Sequence, residues 1–300
     1  MTDRTDLDVD ALTAIDVHVH VEESATGHRS LPEHLMSGSA AYFKVAGART
    51  HTVPQIAAYY RERRMAAVVF TVDAETATGH PPVSSEEIAE ACAEFPDVLI
   101  PFASVDPWRG RAAVRQARVL VERGVRGFKF HPSLQAFHPN DPMVYPLYEV
   151  LQDNGMVALF HSGQTGIGAG LPGGGGIRLR YANPLAVDDV AADFPGLRIV
   201  LAHPSFPWQD EALAVANHKP LVYIDLSGWS PKYFPPQLVR YANTLLKDKV
   251  LFGSDFPVIT PDRWLADFAD LDIRAEVRPR ILKGNAVRLL GLEKREGSDA

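Results

Sequence analysis

The chain has 300 residues, 46% hydrophobic and 22% charged, the balance of a globular protein with a sizeable core. A formal net charge of −7 leaves no basic stripe for phosphates, which argues against nucleic acid. One cysteine, Cys92, excludes an intramolecular disulfide framework. No apolar run approaches transmembrane length, and the polar start MTDRTDLDVD lacks a basic-then-apolar signal pattern. A cytoplasmic protein without membrane contact is expected.

The first element is TAIDVHVH, Thr13 to His20, which reads as a short buried strand. Asp16, His18 and His20 alternate with Ile15, Val17 and Val19, so at period two both imidazoles project to one side. That spacing can hold one metal ion. Taken alone it equally fits one satisfied core histidine and one surface histidine.

An irregular segment follows from Val21 to Val53, with Glu22, Glu23, His28, His34, Tyr42, Lys44, Arg49 and His51. A loop this long suits a lid or substrate loop, or a solvated excursion. Pro54 to Arg64 reads as a helix with Pro at its start.

From there strand-like and helical runs alternate. Apolar runs fall at 65–72, 98–105, 124–131, 155–163, 197–204, 220–228 and 249–257. Between them lie SSEEIAEACAEF, RGRAAVRQARVLVERG, PMVYPLYEVLQDNG, PLAVDDVAADFPG, QDEALAVANH and PQLVRYANTLL, and RAEVRPRILKGNAVRLLGL closes the series. Several end in Gly or Pro, as helix stops should. Cys92 sits in the first of these amphipathic patterns, which makes it an inert buried thiol rather than a nucleophile.

Counting the first, eight strands are each followed by a helix, and their near-continuous apolar character indicates burial on both faces. The expected fold is α/β, a TIM (β/α)8 barrel with a long loop after strand 1. An open doubly wound sheet would need a Gly-rich phosphate loop where His18-Val-His20 stands. One domain spans 1–300, with a core of about 14–292 and polar tails at 1–13 and 293–300.

In such a barrel chemistry sits at the C-terminal ends of strands. Strand 1 ends in His18 and His20, strand 4 in Lys129 and His131, strand 5 in His161 and strand 6 in His203. Strand 7 ends in Asp225 and Ser227, and strand 8 in Asp255. Burying so many ionisable groups on one rim is costly unless they bind something or one another. A metal site is the joint reading.

The motifs DVHVH, GFKFHP, FHSG, LAHP and FGSDFP, spread from Ala14 to Leu292, resemble those of the metal-dependent amidohydrolase superfamily. More narrowly, they are similar to the branch of aminocarboxymuconate-semialdehyde decarboxylase, related aromatic-acid decarboxylases and some C–C bond hydrolases. The resemblance implies one divalent metal, zinc ahead of manganese, held by His18, His20, His161 and Asp255. It implies His203 as an acid/base and substrate contact, and Asp255 as a catalytic group touching metal and water together. Lys129 is expected to bind a substrate anion. The strand-4 lysine that bridges two metals once carbamylated is a less favoured alternative for it. The resemblance also allows a homodimer.

Two features bear on the reaction. Related decarboxylases follow the strand-6 histidine with glycines, where this chain has Pro204, Ser205, Phe206, Pro207 and Trp208. The glycine-rich loop after strand 5 leads to Arg178, Arg180 and Tyr181, and an arginine pair suits a carboxylate or phosphate. A mobile surface loop with locally paired arginines fits it equally well. Trp208, with Trp229, Tyr233 and Phe234, is a candidate aromatic wall or subunit contact.

The first functional expectation is a metal-dependent hydrolase acting on a carboxylate- or thioester-bearing carbonyl compound, such as a β-keto, aromatic-derived one. The alternative is a non-oxidative decarboxylase of an aromatic or unsaturated acid on the same residues. A third is a barrel that binds a small molecule without turnover, which would not need the proton-transfer groups His203 and Asp255.

Overall fold

Eight parallel strands pair in sequence order in the computed structural model, which describes residues 6–43 and 51–293. They are β1 (Ala14–His20), β2 (Met65–Phe70), β3 (Leu99–Ala103), β4 (Gly127–Phe130), β5 (Val157–His161), β6 (Arg198–Ala202), β7 (Val222–Asp225) and β8 (Val250–Leu251). β2 to β8 are each shorter than their apolar runs: His161 and Asp225 still close β5 and β7, whereas His131, His203 and Asp255 lie past the ends of β4, β6 and β8.

The ring closes through the segment after β8. Val17 N–H donates to Phe252 O, Asp255 N–H to His18 O and His20 N–H to Phe256 O. These bonds set the start and end of the chain side by side. A register shift between Asp16 and Val19 on the β2 side breaks the simple alternation of β1. Asp16 fills the break, accepting from His18 N–H, Ser254 N–H and the Tyr60 hydroxyl.

Inside the strands, Ile15, Val17, Val68, Ile100, Val157, Val200 and Leu251 form one apolar cluster, with Leu289 and Leu290 packed against it. It is a packed core rather than a pore, as the barrel geometry requires. A larger apolar layer lies between strands and helices, with Tyr60, Tyr148 and Trp264 fully buried in it. Cys92 belongs to that layer, and burial pushes its thiol up. Among the described residues no helix is long and apolar enough to cross a membrane.

The long segment after β1 is not wholly irregular: helix α1 runs Glu33–Tyr42. Its sequence, EHLMSGSAAY, carries no apolar period, and only Leu35 and Gly38 are buried, which is why no helix is legible there. Lys44 and Arg49 of this segment, and residues 294–300 of the tail, lie outside the described residues. Helix α2 (Val53–Glu62) carries a capping box between Thr52 and Gln55. Another unforeseen helix, Pro261–Ala269, precedes the closing one (Asn285–Leu290).

Candidate metal centre and cavity

The C-terminal strand ends converge as the barrel geometry requires. His18 Nε2, His20 Nε2 and Asp255 Oδ1 form a triangle with sides of 3.3, 3.3 and 3.2 Å. His18 Nδ1–H donates to Asp225 Oδ2 at 2.9 Å, which fixes the tautomer and leaves Nε2 as an acceptor facing the triangle. Burial, joined by the charge of Lys129, lowers the His18 pKa to about 3, so the ring is neutral, as a ligand must be. Burial pushes the Asp255 carboxyl up, but the His20 hydrogen bond and the fields of His18 and His203 prevail and hold it below the usual carboxylate range. Asp225 is held low in the same way, chiefly by His18.

A second chain of bonds runs through His203 and His161. His203 Nδ1–H donates to the Ser227 carbonyl at 3.0 Å. Its Nε2 must then accept, and His161 Nδ1–H supplies the proton at 3.0 Å. His161 Nε2 is consequently a bare acceptor, and it is buried with no partner. His131 stacks on His161, ring centres 3.9 Å apart and planes within 7°. Its Nδ1 accepts Leu134 N–H, so Nε2–H faces Thr165 Oγ1. Burial lowers all three imidazoles.

Lys129 lies on the same floor, fully buried, with Nζ donating to His18 Nε2 at 3.1 Å. Burial brings its pKa down to about 8, against the pull of Asp225 and Asp255. His203 and Asp255 both adopt left-handed backbone conformations, φ 71° and 69°, uncommon for residues with a Cβ and typical of functional sites. Asp225 Oδ1, which accepts His203 N–H, holds the first turn in place. Gly228, at φ 73°, packs so closely that a Cβ would stand 2.6 Å from His203 Nδ1 and 3.3 Å from Asp255 Oδ2. Asp255 thus turns Oδ1 to the histidine pair of β1 and Oδ2 to the side of Gly228.

These donors fit a divalent cation. In a tetrahedral shell with bonds of about 2.0–2.2 Å, neighbouring donors stand roughly 3.3–3.6 Å apart, close to the triangle's sides. The unpartnered His161 Nε2 is the second sign. His161 is nonetheless not part of the group of three, whose ligand atoms lie within 4.8 Å of one another.

The floor opens into a cavity of about 630 Å³ lined by His20, Lys129, His131, His161, His203 and Asp255 below. Arg178 and Arg180 do not reach it. Both are exposed, because the left-handed turn at Gly173–Gly176 tucks Leu171 and Ile177 against Leu35 and turns the arginines outward. Arg180 instead lies against Tyr181. Trp208 is also absent from the lining: it opens the Gln209–His218 helix, its N–H bonded to Ser205 O, and Trp229 forms that part of the wall. The arginine that does line the cavity is Arg29. Sequence reasoning noted Asp225 at its strand end but gave it no role, since its partner stands 207 residues away.

The amidohydrolase family matches residues 15–292. No curated protein matches the chain. Among solved structures, an uncharacterised TIM-barrel protein from Bordetella bronchiseptica is 22% identical, with a TM-score of 0.73 over 93% of this chain and 98% of that one. A 2,6-dihydroxybenzoate decarboxylase from Rhizobium is 16% identical, with a TM-score of 0.68 over 94% and 100% of the two chains. A dihydroxybenzoic acid decarboxylase from Polaromonas, with bound manganese and the inhibitor 2-nitroresorcinol, is 17% identical, with a TM-score of 0.63 over 96% and 100%. At these identities the likeness establishes the barrel.

Proposed function

The chain belongs to the amidohydrolase family, and from that premise we propose that it is a divalent-metal-dependent, non-oxidative decarboxylase of an aromatic or unsaturated carboxylic acid. The observation that carries the reading is the meeting of His18 Nε2, His20 Nε2 and Asp255 Oδ1 beside the buried Lys129 ammonium. It is a floor made for an anionic group under largely apolar walls. The likeness in fold to dihydroxybenzoate decarboxylases supports this choice over the hydrolase first expected from sequence.

His18, His20 and Asp255 would hold the metal, with His161 Nε2 as the further donor. Zinc or manganese suits imidazoles with a carboxylate, and manganese is the ion bound in the Polaromonas enzyme. When bound, the cation anchors the substrate's oxygens and stabilises the negative charge that grows on them. Lys129 Nζ, which gives up its bond to His18 Nε2 when that nitrogen holds the metal, pairs with the same anionic head. The bond from ring carbon to carboxylate breaks, carbon dioxide leaves, and the electron pair stays on the ring carbon. One proton must reach that carbon. His203, lining the cavity beside Asp255, delivers a proton drawn from solvent: its Nε2, which accepts His161 Nδ1–H in this structure, must let go of that bond to take the proton up, while its Nδ1 stays fixed on Ser227. Apolar walls keep bulk water from competing.

The test is product analysis with 2,6-dihydroxybenzoate and related acids in D2O, using metal-loaded protein. One carbon dioxide per turnover and deuterium at the vacated ring position are expected. Two fragments from a carbonyl substrate, with no carbon dioxide from any acid, would sink the reading in favour of hydrolysis. Hydrolysis keeps one observation on its side: Asp255 lines the cavity with a carboxylate at the donor triangle, a position that also suits a base.

A further inference from the structure

We propose that the cavity takes an acid with one anionic head and an apolar body larger than a single ring, extended by an alkyl or aryl group beneath α1. The head's position at the floor rests on the proposed function; the body's does not. At about 630 Å³ the cavity lies mid-way in the roughly 300–1,000 Å³ that drug-sized ligands fill. A one-ring acid would leave much of it as water against apolar walls, which is unfavourable.

The distribution of charge points the same way. The floor concentrates the metal donors and Lys129, while Leu31, Met36, Ala40, Phe43, Ile167 and Trp229 supply the apolar wall of the upper chamber, interspersed with the uncharged polar Ser37, Ser39, Gln164 and Thr165. The upper lining does include Arg29, but its Nη1 stands 3.7 Å from Oε2 of Glu33, the first residue of α1. Glu22, also on the lining, accepts the Ser30 hydroxyl. Among the described residues, therefore, no unanswered cation waits above the floor for a second carboxylate. The arginine pair expected to serve that purpose, Arg178 and Arg180, faces solvent.

The chamber's height is set by glycines. A Cβ at Gly166 would stand 2.3 Å from the Phe43 ring, one at Gly38 would meet Leu171 at 2.9 Å, and one at Gly175 would meet Leu35 at 3.0 Å. The α1 segment is thus seated on the loop after β5 by three side-chain-to-glycine contacts, which leave room beneath it.

The test is calorimetric binding of 2,6-dihydroxybenzoate and its 4-methyl, 4-propyl, 4-pentyl and 4-carboxy derivatives to the metal-loaded full chain, with carbon dioxide release followed in parallel. Affinity should rise about three- to fourfold per methylene over the first carbons, and the 4-carboxy compound should bind more weakly than the parent. Ile167→Trp, which fills the chamber, should cut the gain from the pentyl chain at least tenfold. A flat or falling series, or tightest binding by the 4-carboxy acid, would overturn the proposal. Carbon dioxide from the parent with a flat series would overturn the chamber and leave decarboxylation standing. A rising series without carbon dioxide from any acid would do the reverse. No binding by any acid would overturn both.

Discussion

On the floor of the cavity, His18, His161 and His203 each have a ring nitrogen tied to a defined partner: Asp225, His203 and the Ser227 carbonyl. The roof, from Leu31 to Phe43 and from Gln164 to Ile177, is held chiefly by apolar side chains lodged against glycines. The floor's hydrogen bonds are directional and buried, so they fix orientation, and losing one strands its partner. The roof's contacts are non-directional and tolerate changes of shape. On the proposed function, reaction chemistry belongs to the first region and substrate selection to the second, and variants should separate them.

The largest effect is expected at Asp255. Asp255→Asn removes the anion from the donor triangle and should lower kcat at least about a thousandfold, with metal lost from the protein; elemental analysis and turnover check both. Asp225→Asn keeps the shape but weakens the partner of His18, and metal affinity should fall about 10–100-fold, measured by competition with a chelator. Retained affinity would mean that the tautomer of His18 is set elsewhere.

Gly228→Ala places a methyl group against His203. The strain should cost about 1–3 kcal/mol of stability and reduce kcat more than it raises KM, read from a denaturation curve and steady-state kinetics. At the far end of the scale, Arg178→Ala with Arg180→Ala touches only exposed side chains. It should leave KM within about twofold, the usual range for surface changes. A large rise in KM would return these arginines to the substrate and shift the division between floor and roof.

Much of the floor was legible in the sequence because strand ends are periodic. His18, His20, Lys129, His131, His161, His203, Asp225 and Asp255 stand where apolar runs stop, and the barrel brings such positions to one rim. What each touches was not legible. Asp225 reaches His18 across the barrel, and Gly228 matters only because His203 and Asp255 close in on it. The role of Asp16, filling a register shift with the Tyr60 hydroxyl as a donor, is likewise tertiary.

The roof was the opaque part. Helix α1 is built on a Ser-Gly-Ser-Ala core that gives no apolar stripe, and it owes its placement to glycines in a distant loop. That loop's arginines suggest an anion site by type alone, but left-handed glycine geometry points them outward. The Pro261–Ala269 helix is different. Its Thr260 cap, Pro261 and the Trp264/Phe268 pair at i, i+4 are written in the sequence, though the helix spans under three turns.

The central claim is that His18, His20 and Asp255 hold a divalent cation at the barrel mouth. It is tested most directly by metal content per chain, from elemental analysis of protein purified without chelator or added metal, beside His20→Ala. About one zinc or manganese, largely lost in the variant, is the expected result. No bound metal after supplementation, or the same content in both proteins, would contradict it.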